Sequence, residues 1–282
     1  MVSVIVVYKN EENTIGRCIE SILAQSQGDF ELILVDDNSS DESPKIAARF
    51  RDPRIRLHRV NHNSIAKTRN SGLEKAGGED IFFTDADCVV DGNWIRQGRT
   101  CLDKGFSVVE GRTIYANPRP TISDKLVQNH SGGTWMTCNV AYRAEAVRKA
   151  GGFRPAFGNI KEDKDLALRV LKDGRGFFNA EMIVHHLPKK WTYRTLMARH
   201  KDQAVAEVLL RKEEPSGFRR LRPFAPFHLG VIFFPPLVLV KGVRRQVRSV
   251  HDLKILLYFY PSYLLERYSL WKTGLKERTF VL

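Results

Sequence analysis

Two aspartates one residue apart, Asp85 and Asp87, follow an apolar run in the stretch IFFTDADC. The run predicts a buried strand, so the two carboxylates stand at its end and repel each other unless a positive charge lies near them. Mg²⁺ and Mn²⁺ bind oxygen ligands and commonly keep water or a substrate phosphate in their other positions. The spacing therefore indicates a divalent cation with a phosphate-bearing ligand; a turn or a helix cap is the other role open to such a pair.

Two further acidic clusters and a pair of histidines also carry chemistry. Asp36 and Asp37 follow the apolar stretch FELILV, and the acid-rich run KEDKD at residues 161–165 precedes the helix-like stretch DLALRVLKDG. A helix N-terminus stabilises acids through its dipole, so capping is one role for the acids of KEDKD. His185 and His186 end the strand-like stretch FFNAEMIVHH. They fit either a metal ligand or a hydrogen-bonded neighbour of the site.

The elements that would position these groups alternate in type. Short apolar runs, VSVIVVY, FELILV and IFF, are separated by stretches in which apolar residues recur every three or four positions, such as TIGRCIESILAQ. Ser43 followed by Pro44 predicts a helix start with Ser43 as the cap, and Ser64 and the pair at 77–78 bound another helix. The pattern predicts an α/β fold with a largely parallel sheet covered on both faces. Such sheets bind ligands outside the carboxyl ends of their strands, where both aspartate pairs fall.

Composition limits the class of protein. The 282 residues are 43% hydrophobic and 27% charged, which indicates a globular chain with one large domain and an appendage. The first residues enter a strand without a basic, cleavable leader, and the cysteines lack CxxC or zinc-ligand spacing. These features favour a reduced, cytoplasmic protein without cysteine-bound zinc. The four cysteines are Cys18, Cys88, Cys101 and Cys138.

The positive charge is concentrated in the last third of the chain. The net charge is +13, and +10 of it lies in residues 191–282. WTYRTLMARHKDQAVAEVLLRK predicts an amphipathic helix, and DLKILLYFYPSYLLERYSLW predicts a helix lying among lipid headgroups. The apolar run 224–240 contains three prolines and is shorter than the roughly 20 residues of a spanning helix, so it predicts a re-entrant or interfacial element, or else a buried core segment. The pattern favours an anionic membrane surface as partner over nucleic acid, with a merely solvated basic face as the alternative.

Three blocks of sequence resemble the inverting family 2 glycosyltransferases of GT-A fold. They are SVIVVYKNEENTIGRCIESILAQSQGDFELILVDDNSSDES, NSIAKTRNSGLEKAGGEDIFFTDADC, and CNVAYRAEAVRKAGGFRP followed by KEDKDLALRVLKDG. The blocks occur in the family's order and cover roughly residues 2–190. The resemblance implies a GT-A catalytic domain over residues 1–190, with a nucleotide-diphosphate sugar donor and Mg²⁺ or Mn²⁺. The basic and apolar pattern of the last third predicts a helical, membrane-associated region over 191–282. On that pattern we expect a glycan or lipid-linked acceptor at the inner face of the cell membrane.

The same resemblance assigns roles to individual residues. Asp163 matches the general base that takes the proton of the acceptor hydroxyl, and Glu162 assists it, while Asp165 is structural. The metal ligands implied are Asp85 and Asp87, with a mutation of Asp87 costing more. Lys9 stands where the family usually has the aromatic residue that packs on the base. The nucleotide-sugar site implied consists of Val7, Lys9, Glu11, Asp37, Arg69 and Asp85.

Other functions leave different sequence signals. A sugar-1-phosphate nucleotidyltransferase uses a glycine-rich, basic loop after its first strand, and the acidic KNEENTIGR differs from it. A noncatalytic nucleotide-sugar or membrane-binding protein would be expected to have lost Asp87 or Asp163, and both are present. The QxxRW signature of processive synthases is missing after the histidines, where the chain reads WTYRTLMARH. The sequence therefore favours transfer of a single sugar.

Overall fold

The computed structural model describes residues 1–213 and 247–277, and in these ranges the chain forms eight strands and eight α-helices. The predicted element at 224–240 lies outside the described residues. The elements are β1 (Val2–Tyr8), α1 (Ile15–Leu23), β2 (Phe30–Asp37), α2 (Ser43–Ala47), β3 (Ile55–Val60), α3 (Ile65–Lys75), β4 (Asp80–Asp85), β5 (Cys88–Val90), α4 (Trp94–Asp103), β6 (Val108–Tyr115), β7 (Val140–Arg143), α5 (Ala144–Lys149), α6 (Glu162–Leu171), β8 (Gly176–His186), α7 (Tyr193–Glu213) and α8 (Val250–Lys276).

The strands form one mixed sheet in the order β3-β2-β1-β4-β7-β6-β8-β5. The first four strands in this order are parallel, β7 is antiparallel to both β4 and β6, and β5 is antiparallel to β8. Short connections through helices produce parallel pairs of this kind, as the alternating sequence pattern predicts. The predicted α/β class is confirmed.

Helices cover both faces of this sheet, so its central strands are buried on both sides. Ile15, Ile19 and Ile22 of α1 pack with the even-numbered side chains of β1, and α4 packs on the same face. The opposite face is covered by α3, α5 and α6. A Cβ atom at Gly98 would lie 2.4 Å from the ring of Phe82, so glycine lets α4 approach β4 closely.

The start of α2 differs from the prediction. Ser43 is the first residue of the helix and Glu42 occupies the cap position. The Ser43 hydroxyl instead donates to Asp41 Oδ1 at 2.6 Å and accepts from the backbone N–H of Glu11 at 2.7 Å. The predicted cap fails because this serine ties the loop after β1 to the loop after β2. In α3 Ser64 does occupy the cap position, although its side chain makes no capping hydrogen bond.

The chain divides into two compact units, Met1–Ala116 with Val127–Leu187, and Asn117–Leu126 with the described part of Pro188–Leu282. The predicted domain boundary after residue 190 falls three residues beyond this division, and the sequence did not indicate that Asn117–Leu126 groups with the C-terminal segment. In the second unit α7 packs on α8 around Ala204, Val208 and Leu270. Within the described residues, no helix combines the length and apolar character needed to cross a membrane.

Candidate active site

The carboxyl ends of β1, β2 and β4 bring the predicted site residues to one edge of the sheet. In the parallel registers Tyr8 lies opposite Asp36, and Val7 lies opposite both Val35 and Asp85. The strand-end acids of the sequence are therefore neighbours in space. This is the edge at which parallel α/β sheets bind ligands.

Asparagines shape the loops that follow the first three strands. Asn10, Asn38 and Asn63 all adopt positive φ angles between 49° and 58°. Asparagine tolerates this left-handed conformation better than most residues, because its short side chain can form local hydrogen bonds. Asn10 Oδ1 accepts from the backbone N–H of Ser40 at 2.8 Å, which fastens the loop after β1 to the loop after β2. The sequence analysis missed this role, although each asparagine directly follows or nearly follows a strand.

Asp37 and Lys9 meet at the loop after β3. Asp37 Oδ1 accepts from the backbone N–H groups of His62 at 2.7 Å and Asn63 at 3.0 Å. Lys9 Nζ donates to Asn63 Oδ1 at 3.1 Å. Asp36 differs from its neighbour in that it holds its own loop, since its Oδ1 accepts from the backbone N–H of Ser39 at 2.9 Å. Among the described residues Asp37 Oδ2 has no hydrogen-bond partner, so that oxygen can accept from a ligand.

Glu11 and Val7 lie beside this loop cluster. The Glu11 carboxylate accepts from the Thr14 hydroxyl at 3.0 Å, and its backbone N–H is held by Ser43. Val7 is the one partly exposed residue of β1, whereas the other six are buried. Val7 thus lies at the end of β1 opposite Asp85, and Glu11 lies in the loop that follows β1.

A buried arginine joins the two main acidic clusters. Arg69 on α3 is 2% exposed, and its guanidinium donates to Glu162 Oε1 and, at 3.2 Å, to Asp85 Oδ1. The cation also lies 5.6 Å from the centre of the Phe153 ring. Because the side chain is enclosed, these ion pairs are buried and do not form a salt bridge on the helix surface. Removing one partner from such a cluster leaves an uncompensated buried charge.

The two acids at the start of α6 have perturbed pKa values. Burial and the neighbouring Asp163 carboxylate raise the pKa of Glu162 to about 7, against the opposing effect of Arg69. Burial also raises the pKa of Asp163, while Arg69 and two backbone N–H groups act to lower it. Those N–H groups belong to Thr137 and Lys164, at 3.3 and 2.7 Å from the carboxylate. A carboxylate with a raised pKa is a stronger base, so Asp163 is suited to accept a proton.

Asp165 has a different environment from its neighbours. It is buried and bound by two arginines, Arg154 and Arg169, the latter at 2.7 Å. Both its oxygens are occupied by these guanidinium groups. The expected structural role of Asp165 agrees with these contacts.

Asp87 lies against a histidine that the sequence analysis left out of the metal site. Asp87 Oδ1 is 3.5 Å from His186 Nε2, because β5 pairs with β8 and sets Cys88 opposite His186. His186 Nδ1 lies 3.0 Å from the carbonyl oxygen of Leu187, which can only accept a hydrogen bond. In neutral His186 the proton is therefore on Nδ1, and the Nε2 lone pair faces a carboxylate oxygen.

Asp87 Oδ1 and His186 Nε2 are hydrogen-bond acceptors that face each other, and a cation bound between them would be coordinated by both. Asp87, Cys88 and His186 each offer a ligand atom, and these atoms lie within 4.8 Å of one another. Burial raises the pKa of the Cys88 thiol well above its usual range when no metal is bound, and Mg²⁺ and Mn²⁺ prefer oxygen and nitrogen ligands to sulfur. The remaining oxygen and nitrogen donors suit Mn²⁺, while Mg²⁺ prefers oxygen alone. His185, the other histidine, lies on the opposite face of the strand.

A residue near the site that the sequence did not reveal is Glu110, on β6. It is 1% exposed, and its carboxylate accepts from Gly133 N–H, from Trp135 N–H at 2.8 Å and from Asn129 Nδ2 at 3.0 Å. Gly132, Gly133 and Trp135 all have positive φ angles. One buried carboxylate thus holds an irregular loop, residues 129–135, that leads to Thr137 and so to Asp163. In the sequence, the one indication of this role is that Glu110 interrupts an apolar stretch, VVEG.

Comparisons with known proteins agree with this geometry. The family model described as glycosyl transferase family 2 matches residues 3–151. The chain is 38% identical over 141 residues to UDP-Glc:alpha-D-GlcNAc-diphosphoundecaprenol beta-1,3-glucosyltransferase WfgD of Escherichia coli, covering 46% of this chain and 56% of WfgD. It is 39% identical over 98 residues to glycosyltransferase GlyG of Streptococcus pneumoniae, covering 34% of this chain and 33% of GlyG. The chain thus spans about a third of GlyG and just over half of WfgD.

Two solved structures share the fold at low sequence identity. TarS 1-349 of S. aureus in complex with UDP-GlcNAc gives a TM-score of 0.57 at 15% identity, covering 100% of this chain and 93% of TarS 1-349. Mannosyltransferase PcManGT of Pyrobaculum calidifontis, in complex with GDP-Man and Mn²⁺, gives 0.60 at 17% identity, covering 96% of this chain and 86% of that protein. The family match extends over more than half of the chain. Together with the two structural likenesses, it identifies the chain as a member of glycosyltransferase family 2 with the GT-A fold.

Proposed function

We propose that the chain transfers a single sugar from a nucleotide-diphosphate sugar to an acceptor hydroxyl, with inversion at the anomeric carbon. The observation that carries this proposal is the cluster of Arg69, Asp85 and Glu162 at the carboxyl edge of the sheet, with Asp163 next to Glu162. The cluster joins the strand-end acids to the acids that begin α6. It therefore combines groups for holding a diphosphate with a base.

The donor binds along the loops after β1, β2 and β3. Asp37 Oδ2 accepts a hydrogen bond from the nucleotide base, and Val7, Lys9 and Glu11 line the same edge. Two structural neighbours support a donor of this class, since one is described with UDP-GlcNAc and the other with GDP-Man. Arg69 acts here by fixing Asp85, because its guanidinium is already occupied by two carboxylates.

Asp87 and His186 would hold a divalent cation, with Asp85 at the neighbouring strand end. The acceptor pair formed by Asp87 Oδ1 and His186 Nε2 supports this assignment, and the Mn²⁺ named for PcManGT supports the choice of metal. When bound, such a cation neutralises the charge that develops on a leaving diphosphate. His186 keeps its Nδ1 proton on the carbonyl of Leu187, which fixes the ring with Nε2 towards Asp87.

Asp163 accepts the proton of the attacking hydroxyl. The N–H groups of Thr137 and Lys164 fix the orientation of its carboxylate. Glu162 remains bound to Arg69 and contributes by keeping the start of α6 in place. Inversion requires that the base and the diphosphate lie on opposite sides of the anomeric carbon, so the proton leaves on the acceptor side.

The acceptor is a glycan or a lipid-linked sugar of the cell envelope, at the cytoplasmic face of the cell membrane. The name of WfgD includes a diphosphoundecaprenol acceptor, and the +10 charge of residues 191–282 suits an anionic surface. Residues 1–190 would then be the catalytic region and residues 191–282 the membrane-associated region.

Calorimetry with a panel of nucleotide sugars tests the donor and metal assignments. The wild type should bind one donor tightly with Mn²⁺ and at least about tenfold more weakly without it, and Asp87→Ala should bind like the metal-free wild type. Asp91→Ala is the matched control, because Asp91 is an acid near the same strand whose carboxylate, within the part of the chain that the structure describes, accepts a hydrogen bond only from the Asn93 N–H. Equal binding by Asp87→Ala and wild type with Mn²⁺ would refute the metal site. Release of pyrophosphate from a nucleoside triphosphate and a sugar-1-phosphate would indicate a nucleotidyltransferase instead.

A further inference from the structure

Helix α8 exposes a continuous row of apolar side chains. Trp271 is 67% exposed and Leu275 is 83% exposed, and the other members of the row are also exposed. Successive members are three, four or seven residues apart, which places them on one face of an α-helix. The row consists of Val250, Leu253, Leu257, Leu264, Tyr268, Trp271 and Leu275.

The opposite face of α8 is packed within the second unit. Ile255, Leu256 and Leu270 are buried, and Leu270 packs with Ala204 and Val208 of α7. The exposed row is therefore a second apolar face, in addition to the one that folding requires. An apolar area of this length on a helix indicates an interaction surface.

The charges on and near α8 are separated by sign. Lys254, Lys272 and Lys276 are exposed and follow members of the row by one residue. The acids of the same segment face elsewhere. Asp252 is buried, Glu266 pairs with His200, and Glu277, just beyond the helix, pairs with Lys212. Among the described residues of α8, the exposed face therefore carries lysines and no carboxylate.

We propose that this face lies on an anionic lipid bilayer, with the apolar row inserted at the headgroup boundary and the lysines against the phosphates. The inference refines the proposed membrane location and stands independently of the sugar-transfer chemistry. A second copy of the chain is a poorer occupant, because pairing two such faces would bring lysines of like charge together without acids between them. Within residues 214–246 the run 224–240 is apolar and contains no lysine or arginine, so it is the alternative cover that the acrylamide measurement below distinguishes from lipid.

Flotation of the full chain with vesicles tests the proposal. The wild type should float with vesicles of phosphatidylcholine and phosphatidylglycerol, and much less with phosphatidylcholine alone. Leu257→Glu should weaken vesicle binding at least about tenfold, because it replaces a leucine that would insert into the bilayer with a carboxylate that the anionic lipids repel. Leu57→Glu is the matched control: Leu57 is a 47% exposed leucine on β3, and this variant should float like the wild type.

Two further measurements separate folding and charge effects from loss of the face. Changing Lys254, Lys272 and Lys276 together to Gln keeps the apolar row and should weaken binding by roughly fivefold per lysine. The emission of Trp271, obtained by difference from Trp271→Phe, should shift to shorter wavelength when anionic vesicles are added. Donor binding by calorimetry should be unchanged in all these variants, so a failure here is distinguishable from a failure of the proposed function.

Three results would overturn the assignment. Equal flotation of Leu257→Glu and wild type would show that lipid contacts another surface. A wild-type dimer that Leu257→Glu converts to a monomer, without any lipid effect, would identify a second copy as the occupant. A Trp271 that is shielded from acrylamide without lipid and unaffected by vesicles would mean that the chain covers this face itself.

Discussion

Replacing Glu110 by Gln should loosen the loop at residues 129–135 and slow the reaction. The carboxylate uses one oxygen for Gly133 N–H. The other oxygen accepts from Trp135 N–H, from Asn129 Nδ2, and from the N–H and hydroxyl of Thr134 at 3.2 and 3.3 Å. A glutamine oxygen can replace only one of these acceptors. Its amide N–H₂ must then face a backbone N–H, which places a donor against a donor.

The expected loss in free energy of unfolding follows from the number of hydrogen bonds that Glu110 accepts. If the glutamine oxygen keeps the side with four donors, Gly133 N–H loses its acceptor, which costs about 1–3 kcal/mol. The four remaining hydrogen bonds lose the assistance of the negative charge, which weakens each of them. The free energy of unfolding should therefore fall by about 2–4 kcal/mol in total, and Tm should fall by roughly 5–15 °C.

Thermal unfolding and steady-state kinetics check both consequences. Glu74→Gln makes the same chemical change on an exposed position of α3 and should stay within about 0.5 kcal/mol of the wild type. Because the loop leads to Thr137, whose N–H fixes Asp163, Glu110→Gln should lower kcat and leave the affinity for donor unchanged. If Glu110→Gln unfolds with the wild type and keeps its kcat, the carboxylate does not hold the loop.

Three further changes test other parts of the site. Arg69→Met should destabilise the fold by about 3–5 kcal/mol, measured by urea unfolding above the Glu162 pKa of about 7, because ionised Glu162 would lose its counter-charge. Recovery in the double variant with Glu162→Gln would confirm the pairing. Gly98→Ala should cost about 1–3 kcal/mol because the new methyl group meets Phe82, and a stability equal to wild type would contradict the close packing of α4. Between about pH 4.3, the ordinary pKa of a glutamate, and about pH 7, Glu162 is protonated in the folded protein and ionised in the unfolded chain. The free energy of unfolding should therefore fall as pH rises through this window. Glu162→Gln should flatten that dependence, and a wild-type stability that rises with pH there would contradict the raised pKa.

Much of the fold could be predicted from the sequence because it depends on local patterns. Parallel strands buried on both faces appear as short apolar runs, and the helices between them show a three-to-four-residue period. The helix at residues 65–75 was predicted by its flanking Ser64 and the glycines at 77–78. The antiparallel placement of β7 between β4 and β6 has no such local signature, because register between distant strands depends on tertiary packing.

Some residues of the candidate site could likewise be predicted from local sequence, and others depend on tertiary contacts. Asp85 and Asp87 were visible because they interrupt an apolar run, and Asp163 was visible through its motif. His186 was visible as one of two histidines with an open role, and Glu110 was not visible. The role of each arises from contacts across the sheet, with Asp87 just before β5 and with the loop at 129–135. A histidine or a glutamate in a strand has many possible roles, and only its neighbours in space distinguish them.

Arg69 explains why the acidic clusters can coexist at one edge of the sheet. Asp85, Glu162 and Asp163 would repel one another in a buried site, and the guanidinium contacts two of them and lowers the pKa of the third. The arginine needs no ligand to do so, so the strand-end acids and the start of α6 are positioned before a donor arrives. Asp87 faces His186, and we propose that this pair binds the cation. A substitution at Arg69 should therefore affect folding and both substrates together, whereas one at Asp87 should affect metal-dependent binding alone.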